Sequence, residues 1–233
     1  MNIARVRHTK FYLFMVKWTH KLLQPFDLKE RLELLYWKLR NYAEGDLRND
    51  HYVHFYTSYF GLTKEDYLGK QILDIGCGPR GSLEWIAEQA DAYGLDPLAD
   101  QYLKMGAYKH IMQYVKGVSE SMPFEDQIMD IVCSFNSLDH VDDVSKSVQE
   151  IIRVTKSGGY FLLIVDIHEQ ATLTEPSAFS WDIVQQFEPY MRLLSCKHYE
   201  GHQLWKSIRA AVPFDHDNPN PRYGVLTAMF QKY

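Results

Sequence analysis

Residues 71–81 read Gln-Ile-Leu-Asp-Ile-Gly-Cys-Gly-Pro-Arg-Gly, a short apolar run ending in three glycines spaced G-x-G-x-x-G. An aliphatic run of this length suits a strand buried on both faces, and glycines placed directly after it let the backbone turn sharply and approach a ligand. That combination restricts the chain to open α/β sheets, where ligands sit beyond the carboxyl ends of parallel strands.

Similar runs recur at Ala92–Leu95, Ile111–Val115, Ile128–Phe135 and Tyr160–Val165, each bounded by Gly, Asp, Pro or Ser. Helical windows lie between them at Ser82–Ala90, Leu98–Gly106 and Val144–Val154, the last with Asp142 and Asp143 placed to cap it. Strands alternating with helices predict a Rossmann-like, doubly wound α/β fold. Met191–Tyr199 and Tyr223–Gln231 are also strand-like and are joined by a polar segment carrying Pro213, Pro219 and Pro221. They add an antiparallel C-terminal hairpin, giving seven strands, mostly parallel. Before residue 61 the pattern is helical, with Leu28, Leu32, Leu35, Trp37 and Leu39 followed by Tyr52, Phe55, Tyr56, Tyr59 and Phe60. The expected organisation is an N-terminal helical lid or extension over 1–60 and a ligand-binding domain over 61–233.

Composition narrows the class. With 46% hydrophobic residues and 24% charged in 233, disorder and fibre are excluded. No stretch reaches the roughly 18 apolar residues of a bilayer span, and the N-terminus lacks a signal-peptide pattern, so a soluble, unsecreted chain is expected. Cys77, Cys133 and Cys196 are an odd set without metal-ligand spacing, which supports neither disulfides nor zinc and suits the reducing cytoplasm. No metal is expected. Residues 1–40 carry nine Lys/Arg against three acids, a charge of +6, so the remainder holds −11 of the total −5. The basic, aromatic-rich Phe11–Leu23 suits weak contact with an anionic membrane surface or a phosphorylated substrate, or else a lid packing its apolar face on the domain. The acidic body argues against nucleic-acid binding.

The glycine pattern alone would suggest a dinucleotide site. Asp74, two residues before Gly76, argues for a different ligand: a carboxylate there repels a diphosphate and attracts the ammonium and sulfonium of S-adenosylmethionine. Asp96, twenty residues after Gly76 and ahead of Pro97, is placed to accept both ribose hydroxyls and also to cap the following helix.

Several ordered segments resemble the class I S-adenosylmethionine-dependent methyltransferases, in the small-molecule subgroup of the ubiquinone/menaquinone-biosynthesis type. They are Leu73–Gly78, Asp96, Gly117–Phe124 ending in Met-Pro-Phe, Met129–Ser134, Asn136–Asp143, and Glu150–Gly159, which is similar to Glu-x-x-Arg-Val-Leu-Lys-Pro-Gly-Gly. The resemblance covers roughly residues 70–166. It implies S-adenosylmethionine as cofactor, S-adenosylhomocysteine as product, and contacts from Asp74, Gly76, Cys77, Gly78, Asp96, Pro97 and Asn136. Val118 stands where many members have an adenine-contacting aspartate, which leaves that role to Glu120 or to the backbone near Ser119. The first turn reads Gly-Pro-Arg-Gly instead of the commoner Gly-Thr-Gly; Arg80 either reaches the cofactor's carboxylate or an anionic acceptor, or is an exposed first-turn arginine.

Methyl transfer is an in-line displacement, so the protein must position the acceptor, exclude water and remove a proton where needed. Attention falls on Asn136, Asp139 and His140 after the fourth strand and on Asp166, His168 and Glu169 after the fifth, with His168 and His140 the candidate bases. Thr174–Trp181 and the N-terminal helices are expected to form the acceptor pocket. Tyr52, Tyr56, Tyr59 and Trp181 either line the site or serve as core. No Asn/Asp-Pro-Pro-Tyr follows strand four, which disfavours DNA and protein amides as acceptors. The expected reaction is O- or N-methylation of a small molecule. The competing readings are an NAD(P)-dependent oxidoreductase and a non-catalytic S-adenosylmethionine-binding protein.

Overall fold

The computed structural model describes residues 28–45, 48, 52–168 and 179–233. Phe11–Leu23, Glu169 and most of Thr174–Trp181, singled out above, lie outside the described residues. The elements are α1 (Leu28–Glu44), α2 (Val53–Tyr56), β1 (Gln71–Ile75), β2 (Asp91–Asp96), α3 (Ala99–Lys104), β3 (Gln113–Lys116), β4 (Met129–Phe135), α4 (Val144–Val154), β5 (Thr155–Ile167), β6 (Met191–Glu200), α5 (Leu204–Ala210) and β7 (Gly224–Lys232), with 3₁₀ turns between several of them.

The seven strands form one sheet in the order β3-β2-β1-β4-β5-β7-β6. The first five are parallel, and β7 enters antiparallel between β5 and β6. The C-terminal pair is therefore the expected antiparallel hairpin with α5 inside its connection. Parallel strands covered on both faces explain the continuous apolar runs. One face buries Leu73, Val132, Leu163 and Leu226 against Val148, Ile151 and Val154 of α4. The other buries Ile72, Ile131 and Ile164 against Leu83, Ile86 and Phe55. Phe55 and Tyr56 thus belong to the same core as β1, although they precede residue 61.

Helix α4 begins where its sequence signals: Asp143 accepts the Lys146 amide at 3.1 Å as N-cap, and Ser147, Val148, Ile151 and Val154 point inward. The window Ser82–Ala90 departs from expectation, since it is a run of turns rather than an α-helix. Its amides bond three residues back, Glu84 to Gly81, Ile86 to Leu83 and Gln89 to Ile86. Residues three apart eclipse at that tighter pitch, which aligns the buried Leu83 and Ile86. The Glu84 carboxylate also accepts the Ile111 and Met112 amides and ties the run to the start of β3.

Strand β6 is the outer edge of the sheet. Its register with β7 shifts between Leu193 and Ser195, and Val212–Phe214 covers its far half, with the Glu200 amide donating to Val212 O (3.0 Å) and the Phe214 amide to His198 O (3.0 Å).

Candidate active site

Neighbouring strands leave β1 in opposite sequence directions, toward β2 on one side and β4 on the other, so the crevice beyond their carboxyl ends is the switch point where ligands of open α/β sheets bind. The glycine turn fills that position. Gly76 (φ 69°) is left-handed, and a Cβ there would lie 2.3 Å from the Cβ of Ser137. The Ser137 hydroxyl donates to Ile75 O at 2.7 Å, which stitches the β4 loop to the end of β1. The Gly78 amide donates to Asp96 Oδ2 (3.2 Å) and the Leu98 amide to Asp96 Oδ1 (2.9 Å). Asp96, 3% exposed at the end of β2, is thereby held in one orientation with further acceptor capacity on both oxygens. Burial, aided by the Glu33 carboxylate, pushes its pKa up to about 7. Pro97 lies between the carboxylate and that capping amide, and Cys77 is buried in the turn.

Asp74 is buried beneath the turn, where Oδ2 accepts the Tyr56 hydroxyl at 3.0 Å. Burial raises its pKa to about 6, against the lowering effect of Ser82 and Tyr56. Tyr67 donates to the Tyr56 carbonyl, and the Tyr56 ring packs 4.6 Å from that of Phe135 at the end of β4.

Helix α1 crosses the turn from above. A Cβ on Gly78 would meet Trp37 Cζ2 at 3.1 Å. Glu44 pairs with Arg80, whose guanidinium sits 5.8 Å from the Trp37 ring centroid. Tyr102 donates to Glu33 at 3.5 Å, and the Asn41 amide donates to Met105 O at 3.5 Å. Glu33, Trp37, Asn41 and Glu44 recur at helical spacing and share one face. The sequence reading missed Glu33 and Glu44 and took Trp37 only as part of a helical stripe; the spacing was visible, but not what that face would meet.

On the opposite side, Ser119 shares a hydrogen bond with Ser147 (2.8 Å), while Glu120 accepts from Ser119 and from the amides of Asp142 (2.8 Å) and Asp143 (3.2 Å). Both Glu120 oxygens are engaged in holding this loop. Glu150 accepts the Met122 amide at 2.7 Å, and Arg153 donates to Met122 O and Phe124 O, so two of the resembling segments are physically one clamp. Bonds from Arg153 hold the Glu150 pKa below the usual carboxylate range. Asn136, at φ 58°, turns the chain out of β4 and donates its amide to Ile164 O. Next come the buried Asp139 and the half-buried His140, whose Nε2 lies 3.8 Å from Asp139 Oδ2. His168 is buried at 3% exposure, its backbone paired in both directions with Phe179. Trp181 stacks on His198 at 4.2 Å at the β6 edge.

This arrangement suits a cationic nucleoside. Asp74, Asp96 and Glu33 supply negative charge, and the cation of the turn, Arg80, is paired with Glu44. A diphosphate would find little here: the Gly78 amide is given to Asp96, Pro79 has no N–H, and the turns at 82–90 present no α-helix N-terminus.

Residues 73–163 match a family model described as "Methyltransferase domain". Those residues carry a class I S-adenosylmethionine-dependent methyltransferase domain. The methyltransferase domain is 28% identical over 121 residues to tocopherol O-methyltransferase of Arabidopsis thaliana, covering 48% of this chain and 35% of that protein. It is 33% identical over 101 residues to sterol 24-C-methyltransferase erg6 of Aspergillus fumigatus, covering 40% and 27%. The chain spans between about a quarter and two thirds of the length of the curated relatives it matches. Its fold is shared with the YcgJ protein of Bacillus subtilis, at 16% identity and a TM-score of 0.52, covering 71% of this chain and 93% of that one. S-adenosylmethionine is the cofactor of this methyltransferase family, and the residues of the turn fit it.

Proposed function

We propose that this chain transfers a methyl group from S-adenosylmethionine to an oxygen, or else a nitrogen, of a small apolar acceptor in the cytoplasm. The observation carrying the reading is the Asp96 carboxylate, held by the glycine-turn amide at the switch point and surrounded by further negative charge. When bound, the cofactor supplies a methyl group already activated by a cationic sulfur. Asp96 binds the ribose, Trp37 covers the nucleoside, and the fields of Asp74 and Glu33 favour the positive charges. Over the buried Phe55, the partly exposed Tyr52, Phe60 and Trp205 gather with Phe135 beside the end of β4, an aromatic surface that supports an apolar acceptor. The name of the tocopherol relative specifies oxygen as the methylated atom and that of the sterol relative carbon.

For a hydroxyl acceptor, His140 would take the proton that the oxygen gives up on being methylated. The buried Asp139 carboxylate lies 3.8 Å from His140 Nε2, where its charge favours a protonated ring. His168, the other candidate base, is buried at the end of β5 with its backbone paired to Phe179. The three free thiols fit a reducing compartment.

A thermal-shift and calorimetric comparison tests the reading. S-adenosylhomocysteine should stabilise the chain and NAD should not; stabilisation by NAD alone defeats it. His140→Ala should lower turnover at unchanged cofactor affinity; full activity of that variant, with loss in His168→Ala instead, would move the base to His168. Cofactor binding without turnover across hydroxylated and amine acceptors would support a binding protein instead.

A further inference from the structure

Helix α1 has two working faces. Its inner residues Leu34 and Trp37 pack on Leu98, Tyr102 and Ala107, and Glu44 holds Arg80. On its other side Leu32, Leu35, Tyr36, Leu39 and Tyr42 follow one another at intervals of three, one, three and three residues. They form a single stripe centred about 180° from Trp37 at 3.6 residues per turn. All are open to solvent: Leu32 49%, Leu35 52%, Tyr36 51%, Leu39 60% and Tyr42 92%. A helix with one face committed to its own domain would ordinarily show polar residues on the other.

Charge identifies what the stripe meets. Arg31 and Lys38 flank it on one side and Arg40 on the other, with Arg40 lying 5.8 Å over the Tyr36 ring. Within α1 four Lys/Arg (Lys29, Arg31, Lys38 and Arg40) stand against three acids, and those acids, Glu30, Glu33 and Glu44, fall on the Trp37 side of the helix, Glu44 also pairing with Arg40 at 2.6 Å. An exposed apolar stripe edged by basic side chains suits the headgroup–acyl boundary of an anionic bilayer, which offers apolar and negative groups together; a second copy's acidic body would meet the charges but not the stripe. No helix among the described residues is long and apolar enough to cross a membrane, so the contact is peripheral.

We propose that the outer face of α1 docks on an anionic lipid bilayer, which places the glycine turn, held by the helix's inner face, beside the membrane. One consequence rests on the methyltransferase reading: the acceptor is an amphiphile met at the bilayer surface.

The test is flotation of the full chain with vesicles of phosphatidylcholine alone or of phosphatidylcholine with phosphatidylglycerol. The wild type should float with the anionic vesicles and release at high salt. Leu35→Gln with Leu39→Gln, which alters no charge, should lower partition at least tenfold while keeping the wild-type thermal shift with S-adenosylhomocysteine. A wild type that ignores anionic vesicles overturns the proposal, as does a double variant that partitions like the wild type. A dimer in sedimentation velocity that the double variant dissolves also overturns it, because a second copy then covers the face. Absence of any cofactor shift in the wild type would count against the methyltransferase reading alone.

Discussion

Tyr56 and Asp74 meet at 3.0 Å beneath the glycine turn, so a short helix outside the sheet fixes the carboxylate of the first strand. Asp74 has its pKa raised to about 6, above the ~3.9 of an unfolded aspartate, so its ionisation costs stability. That cost is absent below the unfolded value, grows as pH rises, and is complete above about 6.

Tyr56→Phe removes a donor to the charged form. The expected loss is about 1–3 kcal/mol where Asp74 is ionised and less where it is protonated. Urea unfolding at about pH 8 and about pH 4.5 reads the difference, and equal losses at both would show that the hydroxyl does not serve the carboxylate.

Cofactor affinity should fall on acidification. Protons on Asp96, pKa about 7, and on Asp74 compete with a cationic ligand, so binding weakens as pH drops through 7 toward 6. Calorimetry in buffers of different ionisation enthalpy should detect proton release near pH 6.5, and a pH-independent affinity contradicts it.

Asp96→Ala should weaken S-adenosylhomocysteine by more than tenfold, or ~1.4 kcal/mol. It also orphans the Gly78 and Leu98 amides, so some loss of thermal stability accompanies it. Unchanged calorimetric affinity would remove Asp96 from the site.

Two glycines separate backbone strain from crowding. Gly158 (φ 78°) has nothing within 4 Å of a Cβ, whereas at Gly76 (φ 69°) one would lie 2.3 Å from Ser137. Alanine at 158 should cost about 1 kcal/mol, and at 76 visibly more, with impaired cofactor binding. Thermal melts of the two variants in parallel suffice; equal losses would mean that Ser137 gives way freely.

Thiol titration should report one reactive cysteine in the native chain and three after denaturation. Cys77 and Cys133 are buried and their pKa values pushed up by desolvation, while Cys196 is partly open. Rapid native labelling of more than one would contradict this packing.

The strands were legible because parallel strands under two helical layers must be apolar throughout; β1 and α4 fall where their residues place them. That Gly76 and Gly78 form a turn after β1 and Asp96 ends β2 was legible because local spacing dictates those placements. Ser82–Ala90 was misread because Leu83 and Ile86, three apart, satisfy an α-helix or a tighter turn, and only the long-range hold of Glu84 on Ile111 and Met112 accompanies the latter. The contacts of Trp37 with Gly78, Glu44 with Arg80 and Tyr56 with Asp74 join segments 18 to 41 residues apart, and no local periodicity encodes such meetings.

The kinked register of β6 and the strap of Val212–Phe214 along its far half leave few unpaired backbone groups in line at that border of the sheet. Molecules crowded side by side are thereby denied a straight template along that border on which to zip into fibrils.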